Sequence, residues 1–382
     1  MTFIQKLNYD RTIKQASLFF ILMLLLCTSM VPFKRLFAQV SNDSDTALKI
    51  EKIMQERQIP GLSYAVVKDG ETISLESFGY RNLEDKIAET PKTNHFIASA
   101  TKTFTGIGLM ALVAEGKINL EDSINDYLPG VHPSWEKVTV RQAISHTSGL
   151  PRILDENGDP IGGGDMESAW EIIKNRPLQS EPGQTWAYSQ VGLEVIQRIG
   201  QQVLGKSWES HINETIFNVS GMNNSYWLWS MPDQTPDRSV VYEVNDEENG
   251  SEIRVYDIVN NFDYYLPAGT GLFTNVLDMA KYATSIQDGD LLSPAMLDEM
   301  WRSSEFEENP LPWMSGYGIG WIIDEYKGHD RVWHSGGGKA IFMHYPSEEL
   351  SIIVLTNLAD GGVNVFADYL SNHYLTTPAD CK

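Results

Sequence analysis

Cysteine is nearly missing from this 382-residue sequence: there are two, Cys27 and Cys381, close to opposite ends. With the N-terminal segment set aside only Cys381 remains, so no internal disulfide can form and packing must hold the core. Metal-binding patterns are missing as well. The eight histidines are scattered, no His-Glu-x-x-His occurs, and no Cys/His cluster has zinc spacing. A metal hydrolase is therefore not expected, and neither is a cofactor. Positive charge is scarce too: 29 Lys and Arg stand against 51 Asp and Glu, a formal net charge of -22. Such a chain repels phosphate backbones and anionic lipid, which excludes nucleic acid as an expected partner. Internal repeats and low-complexity stretches are absent.

What is present is the balance of a folded globular protein, 42% hydrophobic and 21% charged residues. The N-terminus stands apart. Lys6, Arg11 and Lys14 precede an uncharged, largely apolar run from Ala16 to Phe33, followed by Lys34-Arg35 and the small residue Ala38. This reads as a secretory leader cleaved near Ala38, or as an uncleaved membrane anchor, because the run approaches spanning length. Cys27 as a lipid attachment site is the weaker reading, since bulky Leu26 sits before it. Either way residues 39–382 are expected to be exported, to the periplasm or beyond, as a single domain with a possible membrane tether.

Periodicity lays out that domain. A helix is expected from Asp45 or Thr46 to about Gln58, stopped by Pro60-Gly61. Leu62–Val67 and Thr72–Tyr80 flank Lys68-Asp69-Gly70-Glu71 as a β-hairpin. A helix opens at Ser99 and runs to Glu115 before Gly116; from Ile107 to Val113 it is apolar or Gly on every side, so it should be buried all round. Helical stretches follow near Val140–Ser145, Ser168–Asn175 and Gly192–Val203. The acid-rich stretch Asp233–Asp257 reads as a surface hairpin turning at Asn249-Gly250. The chain returns to strands at Tyr317–Ile323, Arg331–His334, Ala340–Tyr345 and Leu350–Thr356. A closing helix follows, with Val365, Phe366, Tyr369, Leu370 and His373 on or near one face. The expected class is α/β (α+β): an antiparallel sheet built from both chain ends, with flanking helices and a mostly helical middle subdomain inserted at about 117–260.

The chemistry centres on Ser99-Ala100-Thr101-Lys102, which puts a hydroxyl and an amine three apart on one helix face. A serine is a poor nucleophile unaided, and an amine whose pKa is lowered by burial can take its proton. Lys102 is the wrong residue for the third position of a capped helix, which favours catalysis over capping for Ser99. The spacing itself is cheap. Ser134-Trp135-Glu136-Lys137 repeats it and reads as loop.

Neighbouring segments give the pattern its meaning. Ile97–Gly106 resembles the first motif of the serine β-lactamase and penicillin-binding protein-like family. Ser145-His146-Thr147-Ser148-Gly149-Leu150-Pro151 resembles a loop of its class C-like branch, which includes esterases and D-aminopeptidases. Glu181–Gln190 resembles the second motif and Trp333-His334-Ser335-Gly336-Gly337-Gly338 the third. The order matches, over roughly Asp45 to Thr376. The resemblance implies a β-lactamase/DD-peptidase-like fold and an acyl-enzyme on Ser99, with Lys102 and Tyr188 sharing the general-base duty. A phenol between cations loses its proton more easily, which is the physical reason offered for Tyr188. The backbone N–H groups of Ser99 and Gly337 would form the oxyanion hole. His334, Ser335 and Gly336 would form the strand edge that receives substrate.

Two positions depart from the pattern. Gln190 stands where the family usually has Asn, moving the amide by about one methylene. His334 stands where true β-lactamases carry Lys, and a mostly neutral His suits a substrate carboxylate less well. Trp186, Trp313 and Trp321 are assigned to core packing, His146 to ordering a loop near the cleft, Tyr80-Arg81-Asn82 to a turn, and Asn275 with Pro267–Leu272 to scaffold. The expected activity is hydrolysis of a small ester, amide or D-amino-acid peptide. A β-lactamase or DD-peptidase is the alternative enzyme. A catalytically weak binding or sensor protein is the alternative outside enzymes, motivated by Gln190.

Overall fold

The computed structural model describes residues 44–157, 159–230, 235, 237–247, 250–257, 266–307 and 314–375. The leader or anchor, both cysteines, Asn249 and Trp313 lie outside them.

The first helix, α1 (Ser44–Glu56), ends before Gln58 and leads into β1 (Gly61–Lys68). Asp69 and Gly70 then take φ of 52° and 77°, the two left-handed residues a type I′ hairpin needs, and the chain returns as β2 (Glu71–Asn82). Tyr80-Arg81-Asn82 is the end of this strand and not a turn; Tyr80 and Asn82 pair with Ala88 and Ile87 of β3 (Ile87–Ala88) across a bulge. A short strand β4 (His95–Phe96) precedes the segment that carries Ser99.

From there the chain is mainly helical: α2 (Lys102–Ala114), α3 (Val140–Ile144), α4 (Met166–Ile173), α5 (Gln190–Leu204) and α6 (Trp208–Ile212). Side-chain caps set several starts. Thr139 and Gln142 form a reciprocal capping box at α3, Asp165 caps α4, and Ser189 caps α5. The Ser134–Lys137 segment is a 3-10 turn, Pro133–Lys137, where a loop was expected. Next come β5 (Tyr226–Trp227), the paired strands β6 (Tyr242–Glu247) and β7 (Gly250–Val255), β8 (Leu272–Thr274), α7 (Val276–Gln287) and α8 (Pro294–Trp301).

The chain closes with β9 (Gly316–Tyr317), β10 (Ile322–Tyr326), β11 (His329–Gly336), β12 (Ala340–Tyr345), β13 (Leu350–Thr356) and α9 (Val363–Tyr374). The eight-stranded sheet runs β3-β2-β1-β13-β12-β11-β10-β9. β1 and β13 pair antiparallel from Leu62↔Thr356 to Lys68↔Leu350, so the sheet is built from both chain ends as the sequence indicated. On α9 the buried face is Val363, Phe366, Ala367, Leu370 and Ser371, one notch round from the expected face; Val365 is exposed.

The expected strand Tyr317–Ile323 is broken. Gly318 to Trp321 leave the sheet between β9 and β10 and press onto α2. A Cβ on Gly320 would lie 2.4 Å from the Lys102 carbonyl oxygen, and one on Gly106 would lie 2.2 Å from that of Ile319. Backbone meets backbone there, which only glycine permits. α2 is buried all round from Lys102 to Met110, while Ala111 and Val113 are half-buried. Trp321 packs in the main core as expected, against Trp301 and Phe342.

Candidate active site

A 3-10 turn, Ala98–Thr101, carries Ser99 into α2, and no side chain caps it, so the Ser99 hydroxyl is left for other partners. Ala98 holds φ of 46°, a left-handed conformation that a residue with a Cβ adopts at a cost. Tension of this kind is common where a backbone must present a reacting group.

Lys102 Nζ donates to Ser99 Oγ at 3.2 Å and to the Gly269 carbonyl at 2.8 Å. Its residue is fully buried, and desolvation pulls its pKa from 10.5 to about 7. Near neutral pH a large fraction is therefore uncharged and able to accept a proton. Pro267–Leu272, assigned to scaffold from the sequence, thus reaches the site directly: Gly269 orients the amine, and Ala268 accepts from Thr105 Oγ1 at 2.7 Å.

Tyr188 donates its phenol proton to Ser99 Oγ at 2.9 Å, and the Lys102 ammonium lies 4.9 Å from its ring centroid. The sequence suggested a phenol made acidic by cations. The structure points the other way: burial around the hydroxyl raises its pKa, although 45% of the residue is open. Tyr188 is therefore neutral in the free protein, and Lys102 is the group that can start as base.

The third motif is positioned by backbone contact. A Cβ on Gly336 would lie 1.8 Å from the Ile97 carbonyl oxygen and 3.0 Å from Ala100 N, so β11 ends directly against the Ser99 turn. Ser99 and Gly337, the two expected oxyanion donors, therefore come from touching segments. On its other side β11 pairs with β10 only as far as Trp333↔Ile322. His334, Ser335 and Gly336 run beyond that partner, because the chain before Ile322 has turned away onto α2. The broken strand is what bares the edge.

His334 and His146 are joined through a residue the sequence did not flag. His334 Nδ1 is 2.7 Å from the Ser335 carbonyl, which can only accept, so the ring proton sits on Nδ1. Ser189 N donates to His146 Nδ1 at 3.1 Å, which puts the His146 proton on Nε2. Between them Tyr317 hydroxyl is 3.2 Å from His146 Nε2 and 3.1 Å from His334 Nε2. One directional chain results: His146 donates to Tyr317, and Tyr317 donates to His334. Burial and the nearby Lys102 charge bring His334 down to about 3 and put His146 well below its usual range. Both rings are neutral at physiological pH. His146 adopts φ of 65° and its carbonyl accepts from Ala187 N at 2.8 Å, so it pins the loop that presents Tyr188. Tyr317 carried one sequence signal, the Gly-Tyr-Gly-Ile-Gly-Trp run at 316–321, which periodicity read as strand.

Trp186 is buried, as core packing requires, and also stands beside the site; its ring centroid lies 5.7 Å from His146, 6.1 Å from Tyr188 and 5.8 Å from Tyr317. Gln190 is the first residue of α5, and its buried Oε1 has no hydrogen-bond partner among the described residues. A Cβ on Gly269 would lie 2.7 Å from that oxygen, so the glycine makes room for the longer amide. Asn275 caps α7 and donates to Asn94 Oδ1 at 3.0 Å, away from the reacting groups. Among the described residues no cluster of His, Cys, Asp or Glu is arranged to hold a metal ion.

An alcohol flanked by a partly neutral amine and a phenol, at the mouth of a buried helix, is the apparatus of a serine hydrolase that works through an acyl-enzyme. Comparison with known proteins agrees: a family model described as Beta-lactamase matches residues 47–374, and the chain belongs to that family. It is similar to Protein flp of Staphylococcus aureus (strain N315), 24% identical over 356 residues that cover 87% of this chain and 67% of that protein. To the same protein from strain NCTC 8325 it is 29% identical over 184 residues, only 37% of that protein's length. Among solved structures it resembles the octameric penicillin-binding protein homologue from Pyrococcus abyssi. That match has a TM-score of 0.75 and 27% identity, over 88% of this chain and 78% of that one. It also shares its fold with the D-amino acid amidase from Ochrobactrum anthropi SV3, at a TM-score of 0.70 and 22% identity over 87% and 100% of the two chains.

Proposed function

We propose that this serine hydrolase acts on small ester or amide substrates whose group facing His334 is uncharged, with Ser99 as nucleophile and Lys102 as its base. The observation that carries the reading is Ser99 Oγ held between Lys102 Nζ at 3.2 Å and Tyr188 hydroxyl at 2.9 Å, with the amine brought to about 7. Ser99 gives its proton to neutral Lys102 as Oγ bonds to the carbonyl carbon. The charge that moves to oxygen is met by the N–H groups of Ser99 and Gly337. The leaving group departs with a proton returned from Lys102 through Tyr188, and water then repeats the sequence on the acyl-enzyme.

His334, neutral and with both ring nitrogens hydrogen-bonded, supplies no cation at the β11 edge for a substrate carboxylate, which argues against antibiotic hydrolysis. The unpartnered Gln190 Oε1 offers an acceptor for a substrate N–H, and so favours an amide or peptide. The N-terminal pattern supports export with cleavage near Ala38 or retention as a tether; fractionation of cells making the full chain distinguishes the two.

The test is turnover of a p-nitrophenyl ester together with intact mass after a serine-directed fluorophosphonate. Ser99→Ala should remove both turnover and label. A native chain that takes the label but releases no product from a panel of esters, amides and cephalosporins is a sensor and not a hydrolase. Turnover of a cephalosporin would overturn the substrate class.

A further inference from the structure

Lys339 lies in the turn between β11 and β12 and is 94% hidden, at 6% exposure. Among the described residues its ammonium meets ring faces, Phe96 at 5.5 Å and Tyr256 at 5.9 Å to the centroid, and no carboxylate within ion-pair distance. Burying a cation without an anion is unfavourable, and the two rings offset only part of the lost hydration. Burial lowers the ammonium's pKa, and Asp360, whose backbone N–H donates to the Gly337 carbonyl at 3.1 Å, raises it from further away.

The place of the ammonium gives the cation a purpose. A Cβ on Gly337 would lie 3.2 Å from Lys339 Nζ and 3.9 Å from the Ala98 Cβ. The charge therefore sits behind the seam where Gly337 meets the residue preceding Ser99. Gly337 takes φ of 52°, so it is glycine for its backbone as well as for this space. The other ionisable groups placed around the serine contribute little fixed charge: both histidines are neutral and Lys102 is partly so.

We propose that Lys339 is an electrostatic support of the oxyanion hole: its buried charge, fixed behind Gly337, stabilises the negative oxygen that forms when Ser99 adds to a carbonyl. The inference rests on the reading of Ser99 as nucleophile. Lys339 does not touch substrate; it acts through the Ser99–Gly337 seam from its own buried position behind it. The oxyanion exists only during the reaction, so the lysine favours the transition state over the bound substrate.

The experiment compares p-nitrophenyl acetate turnover with inhibition by phenylboronic acid. In the inhibitor complex Ser99 Oγ bonds to boron and its proton passes to Lys102, leaving a tetrahedral boronate anion. Lys339→Met should lower kcat/KM roughly 30-fold and weaken the boronic acid by a similar factor, while KM moves less than about threefold. Lys339→Arg should recover part of both. Lys339→Gln replaces the Met variant if that one fails to fold. Native turnover in a folded neutral variant overturns the proposal. So does lost turnover with unchanged boronic acid affinity, which marks a structural role, and so does a loss confined to esters bearing a carboxylate, which marks a substrate anchor. Persistent turnover in Ser99→Ala, measured with Lys339 intact, would sink the underlying reading instead.

Discussion

The same four-residue spacing occurs twice in this chain, and the two copies have different fates. Ser99 and Lys102 sit where a short turn enters a buried helix, with the lysine sealed from water. Ser134 and Lys137 sit in the surface turn Pro133–Lys137. There the serine oxygen accepts from Leu178 N at 3.2 Å, and the lysine, 63% exposed, pairs with Glu181 at 3.1 Å. Lys137 stands in water against a carboxylate, without the desolvation that acts on Lys102. Spacing brings the groups into reach, while desolvation lowers the pKa of one amine and leaves it able to accept a proton.

The sharpest way to break this comparison is to remove the base. Lys102→Met should cut ester kcat/KM by about a thousandfold or more, whereas Lys137→Met should leave it within about twofold. The fold should gain from the first change, since a desolvated amine is replaced by an apolar chain of similar length, and a rise of about 1–2 kcal/mol in chemical denaturation is expected. The pH profile tests the same cause. Lys102 binds its proton as pH falls through about 7, so kcat/KM should fall below that pH, approaching tenfold per unit by pH 5–6. A profile flat down to pH 5 would mean that Lys102 is not the titrating base.

A smaller effect is expected at Tyr317. Tyr317→Phe keeps the ring among Trp186, His146 and His334 but removes the hydroxyl that joins the two histidines. A loss of roughly tenfold in kcat/KM is expected. The His334 ring should stay neutral, because burial and the Lys102 charge hold its pKa down and both survive the change; a ring that protonates near neutral pH by NMR would show instead that the hydroxyl sets its state. The smallest effect belongs to the decoy serine: Ser134→Ala should leave turnover unchanged and cost about 1 kcal/mol of stability through the unpaired Leu178 N–H.

Much of the site could be read in advance where the cue was local. The Asp69-Gly70 turn, the Ser-x-x-Lys pair and the loop of His146 each depend on residues close in sequence. The misreadings share one cause. Tyr317–Ile323 has the look of a strand by composition, and Gly320 was read as part of it; the segment breaks because Gly106, more than 200 positions earlier, lets its backbone through. Tyr188 looked like a phenol among charges, yet burial outweighs them. Gly269 was read as scaffold and Lys339 gave no pattern, since their meaning lies in what packs beside them.

The chain by itself determined the alternation that makes the strands, the turn residues that join them, the caps that start the helices and the order of its motifs. These follow from dihedral preference and short-range hydrogen bonding. Tertiary structure alone decided which amine lost its water, which strand edge was left bare, and where a buried charge stands relative to the reacting oxygen. Desolvation and long-range electrostatics depend on everything that surrounds a group, and that is settled only when distant segments close around it.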